Sequence, residues 1–241
     1  MTATTRQIPW LRVFVEGVVI VGSILLVLAL ALDAWWDGGQ ERAQEQEILR
    51  GLRAEFVADT SLYHDQIAFH QDVQAGLVEL MREEAAAELG LERLDLAFYR
   101  TLTATPLDPG SGVRDALISS GRLELIRSEE LRSRLAEWES LVDGVRDEQE
   151  SMRAYSYERI IPYLASRDVP LGRAMASMDW PVSHPEPSVT RDAYRTVLAD
   201  PEFQVHLGVR SGAMARSLGE FNEAFVAARQ VLSLIDRELS R

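Results

Sequence analysis

Three polar residues interrupt an apolar helical stripe and are the first candidates for chemistry: Asp59, Gln66 and His70. They share 3-4 spacing with the apolar residues around them. A carboxylate, an amide and an imidazole facing the interior of a helical bundle can line a small-ligand pocket, and His70 can make a pH-sensitive contact. The same residues can instead form a polar core layer that sets the register of the helices. The pattern favours the structural role and leaves the ligand role open.

Motifs for catalysis or cofactor binding are absent from the sequence. It has no P-loop, no dinucleotide-binding glycine fingerprint and no Gly-x-Ser-x-Gly elbow. It also has no cysteine, which excludes disulfides, zinc–thiolate centres and thiol nucleophiles. His64 and His70 lack the i, i+4 spacing that places two metal ligands on one helical face. We therefore predict no catalytic residue, no metal site and no cofactor, and we expect that the protein is not an enzyme.

The charge of the chain argues against one class of partner. The 38 acidic residues outnumber the 25 basic ones, which gives a net charge of -13. Nonspecific binding of nucleic acid needs a basic face. We therefore predict no nucleic-acid partner.

An apolar run near the N-terminus predicts a transmembrane helix. Residues 17–32 carry no charge, and the three apolar residues before Glu16 extend the run to about 20 residues, or about 30 Å of helix. Trp10 precedes the run and Trp35–Trp36 follow it, where amphipathic rings favour the membrane interface. We predict three segments: a cytoplasmic tail over residues 1–12, a transmembrane helix over 13–32 and a soluble helical domain over 33–241.

The residues at the two edges of this run are candidates for contacts within or beside the membrane. Glu16 lies about one turn inside the first edge. A carboxylate so near the edge can reach the headgroups or take up a proton, and it can also contact a partner helix. Asp33, Trp35 and Trp36 stand at the other edge. We assign interface contacts to these four residues, with another membrane protein or with a second copy of the chain.

Charges on the two sides of the span predict its orientation. Arg6 and Arg12 precede it, whereas Asp33, Asp37 and Glu41 follow it. By the positive-inside rule the N-terminus is cytoplasmic. The soluble domain would then lie in the periplasm, anchored in the inner membrane of a Gram-negative bacterium.

A cleaved secretory signal peptide is the alternative to an anchor. Residues 29–31 read Ala-Leu-Ala, the small-x-small form of a cleavage site. The apolar run is longer than the core of an ordinary signal peptide, which favours a retained anchor.

The rest of the chain has the pattern of long amphipathic helices. Three apolar stripes with 3-4 spacing lie at residues 49–80, 131–152 and 207–239. Ser128 and Asp200 are N-cap residues, and Pro162 bends or ends the second long helix. We predict an all-α fold, with one transmembrane helix followed by an antiparallel bundle of about three long helices plus short helices.

The connections between the long helices contain the short elements. We expect the first long helix to continue from the span, with a flexible point at Gly38–Gly39, and to reach about residue 87. Short helices are predicted at residues 94–103, 113–120 and 191–198. An irregular Pro-rich loop is predicted at 167–190.

Two stretches resemble one family of bacterial proteins. Residues 31–42 read ALDAWWDGGQER at the exit of the span, and residues 115–138 read DALISSGRLELIRSEELRSRLAEW. They resemble a family of single-span membrane proteins classed as a domain of unknown function. Members of that family have a Glu, an apolar run and an Asp/Asn-x-Trp exit, and later a Ser-Ser-Gly-x-Leu-x-Leu-Ile stretch. The resemblance covers roughly residues 10–140, and it implies a membrane location without any catalytic residue.

These observations favour a binding or scaffolding role for an extracytoplasmic helical domain. Its partners would be the lipid bilayer and another membrane or periplasmic protein. The alternative is a sensor-like module that binds a small ligand between its helices. Such a module would have to signal through a partner protein, since only about a dozen residues precede the membrane.

Overall fold

The computed structural model describes residues 10–82, 84–103, 109–172 and 187–241. Over residues 10–38 it describes the helical backbone and, among the side chains, only that of Leu26; the side chains of residues 86, 187 and 188 are likewise left out. The elements in these ranges are all helical, which confirms the predicted all-α class.

The first helix, α1, runs from Trp10 to Leu80 and contains 71 residues, a length of roughly 107 Å. It passes through the predicted flexible point at Gly38–Gly39 without a break and ends before the predicted limit near residue 87. Among the residues described, no helix combines the length and the apolarity that a membrane crossing needs.

The backbone of the predicted span belongs to α1, but its side chains lie outside the description. Of residues 13–32, only Leu26 has a described side chain. The tail at residues 1–9 and the interface candidates, namely Glu16, Asp33, Trp35 and Trp36, also lie outside the description of side chains. The transmembrane helix and its contacts therefore stay predictions.

Three long helices form the bundle: α1, α5 (Glu129–Tyr155) and α8 (Pro201–Leu239). Arg53 on α1 pairs with Asp236 near the end of α8 at 2.7 Å, and Gln74 further along α1 donates to Ser211 nearer the start of α8, so the two helices are antiparallel. Arg237 likewise pairs with Glu130 at the start of α5 at 2.6 Å, and Arg216 pairs with Glu148 further along, so α5 is antiparallel to α8 as well. The predicted antiparallel arrangement of three long helices is therefore observed.

Shorter elements fill the fourth position of the bundle. After α2 (Ala85–Glu88), they are α3 (Leu91–Leu102), α4 (Gly112–Ser119) and a 3₁₀ turn (Arg122–Leu125). From α3 onward they run antiparallel to α1, because Arg93 pairs with Glu79 and, later in the chain, the Arg127 amide donates to Glu45. We call α3, α4 and this turn the fourth column. It is interrupted between Leu102 and Gly112.

A proline changes the helix type where α5 ends. A π turn, Ser156–Ile160, joins α5 to α6 (Ile161–Ser166). Pro162 has no backbone N–H to donate to the Glu158 carbonyl, so the normal hydrogen-bond register cannot continue there. The chain adopts a wider turn and remains helical. The next described helix, α7, is Pro187–Leu198, so the last four residues of the predicted loop at 167–190 are helical instead. Residues 173–186 of that loop lie outside the described ranges.

The predicted N-caps are present with their hydrogen bonds. The Ser128 hydroxyl accepts the Leu131 N–H at 3.3 Å, and the Asp200 carboxylate accepts the Glu202 N–H at 2.9 Å. Gly121, after α4, has a positive φ of 67°, as expected for a glycine that ends a helix.

The core consists of two apolar clusters stacked along the bundle axis. One lies among α3, α7 and the adjoining ends of α1 and α8, and the other lies among α1, α4, α5 and α8. Every predicted stripe residue of α5 is buried. On α8 the buried positions differ from the prediction, since Arg210 and Ser217 are buried while Leu218 and Phe225 are only half-buried.

Candidate functional site

Backbone groups on both sides of the interruption in the fourth column need hydrogen-bond partners from other parts of the protein. The last carbonyls of α3 and the first N–H groups of α4 have no partner within a helix, and backbone groups buried without partners are costly. Charged side chains from α1 and α8 supply the partners. Together with the buried Arg114 and its ion-pair partner Glu139, they form what we call the polar centre: Glu55, Asp59, Arg114, Glu139 and Arg210.

Arg210 completes the C-terminal end of α3. Its side chain is 0% exposed. Its Nε donates to the Thr101 carbonyl at 3.0 Å, and its Nη2 donates to the Thr103 carbonyl. A cation here also complements the negative end of the helix dipole. Burial lowers the pKa of Arg210 to about 10, because the charged form loses hydration.

Two carboxylates of α1 bind the backbone where the fourth column resumes. Glu55 accepts the N–H groups of Val113 and Arg114 at the start of α4, the second at 3.3 Å. Asp59, one turn later on α1, accepts the Gly110 N–H at 2.9 Å. Anions are favoured at a helix N-terminus, so the charges at both ends of the interruption match the helix dipoles.

Arg114 is the buried cation at this end of the interruption. Its side chain is 1% exposed, and its Nε lies 2.7 Å from Glu139 on α5. The guanidinium stands over the Trp138 ring at 4.6 Å from the ring centroid, a cation–π contact. Its Nη1 donates to the Gly110 carbonyl at 3.3 Å. Arg114 thus joins α4 to α5 while Glu55 and Asp59 join it to α1.

The carboxyl of Asp59 is strongly perturbed. Its pKa is raised to about 6, mainly by burial and to a smaller extent by Glu55, while the Gly110 N–H and Arg114 act in the opposite direction. Burial also raises the pKa of Tyr63, one turn away on α1. Within the described part of the chain, Asp59 Oδ2 and the Tyr63 hydroxyl are buried without a hydrogen-bond partner.

The three predicted polar residues are placed in two separate surroundings. Asp59 and His70 are buried and Gln66 is half-buried. The His70 Nδ1 donates to the Gln66 carbonyl at 2.7 Å, and the imidazole packs on the Phe221 ring at 4.5 Å. Burial lowers the pKa of His70, and the charge of Arg210 lowers it further. Asp59 lies eleven residues earlier on α1 and binds the Gly110 N–H, so the three side chains do not form one layer.

Four residues of the polar centre do not appear among the sequence candidates. The sequence did contain a signal for Arg210. It lies three residues after Leu207 and four before Met214, and this spacing places it on the apolar stripe of α8. Arg114 and its partner Glu139 had no such signal. The helix that carries Arg114 has 8 residues, too few for periodicity to show which face is buried.

Two clefts of the described structure lie away from these residues. One, of about 370 Å³, is lined by Arg42, Glu45, Gln46, Leu49, Arg127, Glu238 and Arg241. The other, of about 420 Å³, is lined by Gln44, Glu47, Ile48, Gly51, Val113 and Arg122. Both are at the end of the bundle where α8 ends, and neither is lined by Asp59, Gln66 or His70.

The chain matches no protein-family model, no curated protein and no solved structure. Four charged side chains of the polar centre bind backbone groups or pair with each other. The fifth, Asp59, has a carboxyl with a pKa of about 6, so it changes charge near neutral pH. The chemistry of the polar centre is that of a structural ion cluster with an exchangeable proton.

Proposed function

We propose that the chain is a single-pass protein of the bacterial inner membrane whose periplasmic helical domain has a binding or scaffolding role. The observation that carries this proposal is the uncharged run at residues 17–32, which is long enough to cross the hydrocarbon core. The run belongs to α1, which continues to Leu80. An anchor and a bundle that share one helix would hold the domain at a defined distance from the bilayer.

The charges around the run support the orientation. Arg6 and Arg12 precede it, and Asp33 and Asp37 follow it closely. Cationic flanks stay on the cytoplasmic side. The bundle and the C-terminus would then be periplasmic.

The polar centre supports scaffolding over small-molecule binding. Its charged groups are engaged with helix ends, as with Arg210 and the carbonyls of Thr101 and Thr103. Groups used in this way stabilise the bundle. The sensor-like alternative would need a cavity at Asp59, Gln66 or His70.

A topology measurement tests the anchor and its orientation. We expect a periplasm-active reporter fused after Arg241 to be active, a cytoplasm-active reporter at the same site to be inactive, and the protein to stay in membranes after alkaline carbonate extraction. As a matched control, the variant R6E/R12E/D33R/D37R reverses the charge difference across the span and should reverse the two reporter activities. A cytoplasmic C-terminus in the unmodified protein, or its release by carbonate, would refute the proposal. Loss of an N-terminal epitope tag from the mature protein would show signal cleavage instead.

A crosslinking measurement tests the partner role of the span edges. We expect a photoreactive amino acid at Glu16 or Trp35 to form a discrete protein adduct in membranes, because acids at membrane depth are retained where they contact protein. The same amino acid at Leu26 serves as the control and should give mainly lipid adducts. An adduct of twice the mass of the chain would identify a second copy as the partner. Lipid adducts alone at all three positions would contradict a protein contact.

A further inference from the structure

Several carboxylates meet where the fourth column resumes. The Arg114 guanidinium lies 2.7 Å from Glu139 and 4.0 Å from the exposed Asp115, and Glu55 and Asp59 bind backbone N–H groups beside it. Glu55 and Asp59 come from α1, Glu139 comes from α5, and Arg114 lies between them on α4. Of these three carboxylates only Asp59 is fully buried, since Glu55 is half-buried and Glu139 is 31% exposed. A poorly compensated charge in the interior is removed by proton uptake, so the buried carboxyl is the one expected to be protonated.

The hydrogen bonds identify which carboxyl takes the proton. Glu139 is the ion-pair partner of Arg114 at 2.7 Å, and Glu55 accepts two N–H groups at the N-terminus of α4. Asp59 accepts one N–H, that of Gly110, and its Oδ2 is buried with no partner among the described residues. The least stabilised anion is therefore Asp59.

Among the residues that the structure describes, the other elements around Asp59 supply little compensation. The Tyr63 hydroxyl, one turn away on α1, is neutral and is itself buried without a described partner. Arg146 on α5 acts on Tyr63 and has a side chain that is 40% exposed. The residues that α8 contributes to the same core cluster are apolar, among them Ala224 and Ala228.

We propose that Asp59 is a proton-operated latch. In its protonated form it holds α1 to the residues around Gly110, which lead into α4. When it loses the proton, the attachment of α4 to α1 weakens. The bond between Asp59 and Gly110 joins positions 51 residues apart in the chain, so it ties the residues just before α4 to α1. A neutral carboxyl keeps Oδ1 as the acceptor for Gly110 and removes the buried charge. The charged form of Asp59 needs contact with water, so it favours a state in which the residues around Gly110 have moved away from α1.

The direction of the pH effect follows from the pKa. Its value for Asp59 is raised from 3.8 to about 6 in the folded protein, so the closed state binds the proton more tightly than the open state does. The stabilisation is complete below the lower value and is lost as the pH rises through the higher one. Between pH 5 and pH 7.5 the equilibrium constant for opening should rise about tenfold.

Hydrogen–deuterium exchange on the full chain in detergent tests the latch. For peptides covering residues 109–117, corrected for the intrinsic exchange rate at each pH, we expect about tenfold more protection at pH 5 than at pH 7.5. Asp59→Asn imitates the protonated carboxyl and keeps the acceptor for Gly110. It should show the high protection at both pH values. Asp65→Asn, an exposed position on the same helix, should retain the tenfold difference.

Two results would overturn the proposal. One is a protection ratio below twofold in the unmodified protein, and the other is a tenfold ratio that persists in Asp59→Asn. Should Asp59→Asn fail to fold, Glu139→Gln provides the second test. It frees the charge of Arg114 to stabilise the Asp59 anion, so the ratio should fall well below tenfold, and an unchanged ratio would contradict the latch.

Discussion

Replacing Trp138 with alanine is expected to lower the free energy of unfolding by about 3–5 kcal/mol. The side chain is fully buried and its ring lies 4.7 Å from that of Phe56. Its Nε1 donates to the Ala224 carbonyl on α8 at 3.1 Å. The substitution therefore leaves a cavity and a buried carbonyl without its donor, and it removes the aromatic face under Arg114. Urea unfolding followed by far-ultraviolet circular dichroism measures the effect without relying on tryptophan fluorescence.

Two further variants separate these contributions. Trp138→Phe keeps most of the ring and loses the hydrogen bond to Ala224, so it should cost roughly 1–3 kcal/mol. Tyr157→Ala removes an aromatic ring that is 62% exposed, and it should change stability by less than about 0.5 kcal/mol. Equal stability of Trp138→Ala and the unmodified protein would show that α5 and α8 do not pack through this residue.

Replacing Arg210 with alanine is expected to destabilise the protein by about 2–4 kcal/mol and to unravel the end of α3. The carbonyls of Thr101 and Thr103 lose their donors, at about 1–3 kcal/mol each, and the buried stem loses about 0.8 kcal/mol per methylene. Relief of the buried charge opposes these losses. The pKa of Arg210 is depressed to about 10 from 12.5, which corresponds to roughly 3 kcal/mol. The lost hydrogen bonds and packing together exceed this relief.

The comparison with methionine tests that balance. Arg210→Met keeps an apolar stem and relieves the charge, so it should destabilise less than Arg210→Ala. In both variants hydrogen exchange should increase at residues 98–102. Arg216→Ala, which removes an exposed arginine of the same helix, should change stability by less than about 0.5 kcal/mol. Arg210→Ala would contradict the proposed role if exchange at the end of α3 stayed as slow as in the unmodified protein.

Both predictions concern residues that hold an irregular element within a regular bundle. Trp138 lies under Arg114 at the start of α4, and Arg210 binds the carbonyls at the end of α3. An uninterrupted helix in this position would need neither cation, because its backbone groups would bond to each other. The interruption thus explains why an α-helical bundle buries two arginines, which are almost never fully buried without a partner.

The local pattern of residues was sufficient to predict the helices and most of their buried faces. The stripe on α5 is buried as its 4-3 spacing indicates, and Ser128 and Asp200 cap helices with their own side chains. Capping involves neighbours in the chain, and a stripe depends on residues three or four apart. Both can be read from the sequence because the interacting groups are close along it.

The contacts of the polar centre could not be predicted from the sequence, because they join residues that are far apart along the chain. Asp59 binds Gly110 across 51 residues, and Arg210 binds Thr101 across 109 residues. Whether a polar residue on a stripe forms a layer, caps a helix or takes up a proton depends on which element packs opposite it. The sequence identified Asp59 as an inward-facing acid, and only the tertiary structure provided its partners.

The sequence by itself determined the all-α class, the approximate positions of the long helices and the presence of one uncharged run long enough for a membrane. These properties follow from hydrophobicity and helical periodicity, which are local. The tertiary structure decided that the fourth column is interrupted and that Asp59 and His70 lie in different surroundings. It also decided that two arginines serve as the partners of helix ends, because the partners of a buried charge are chosen by packing between distant segments.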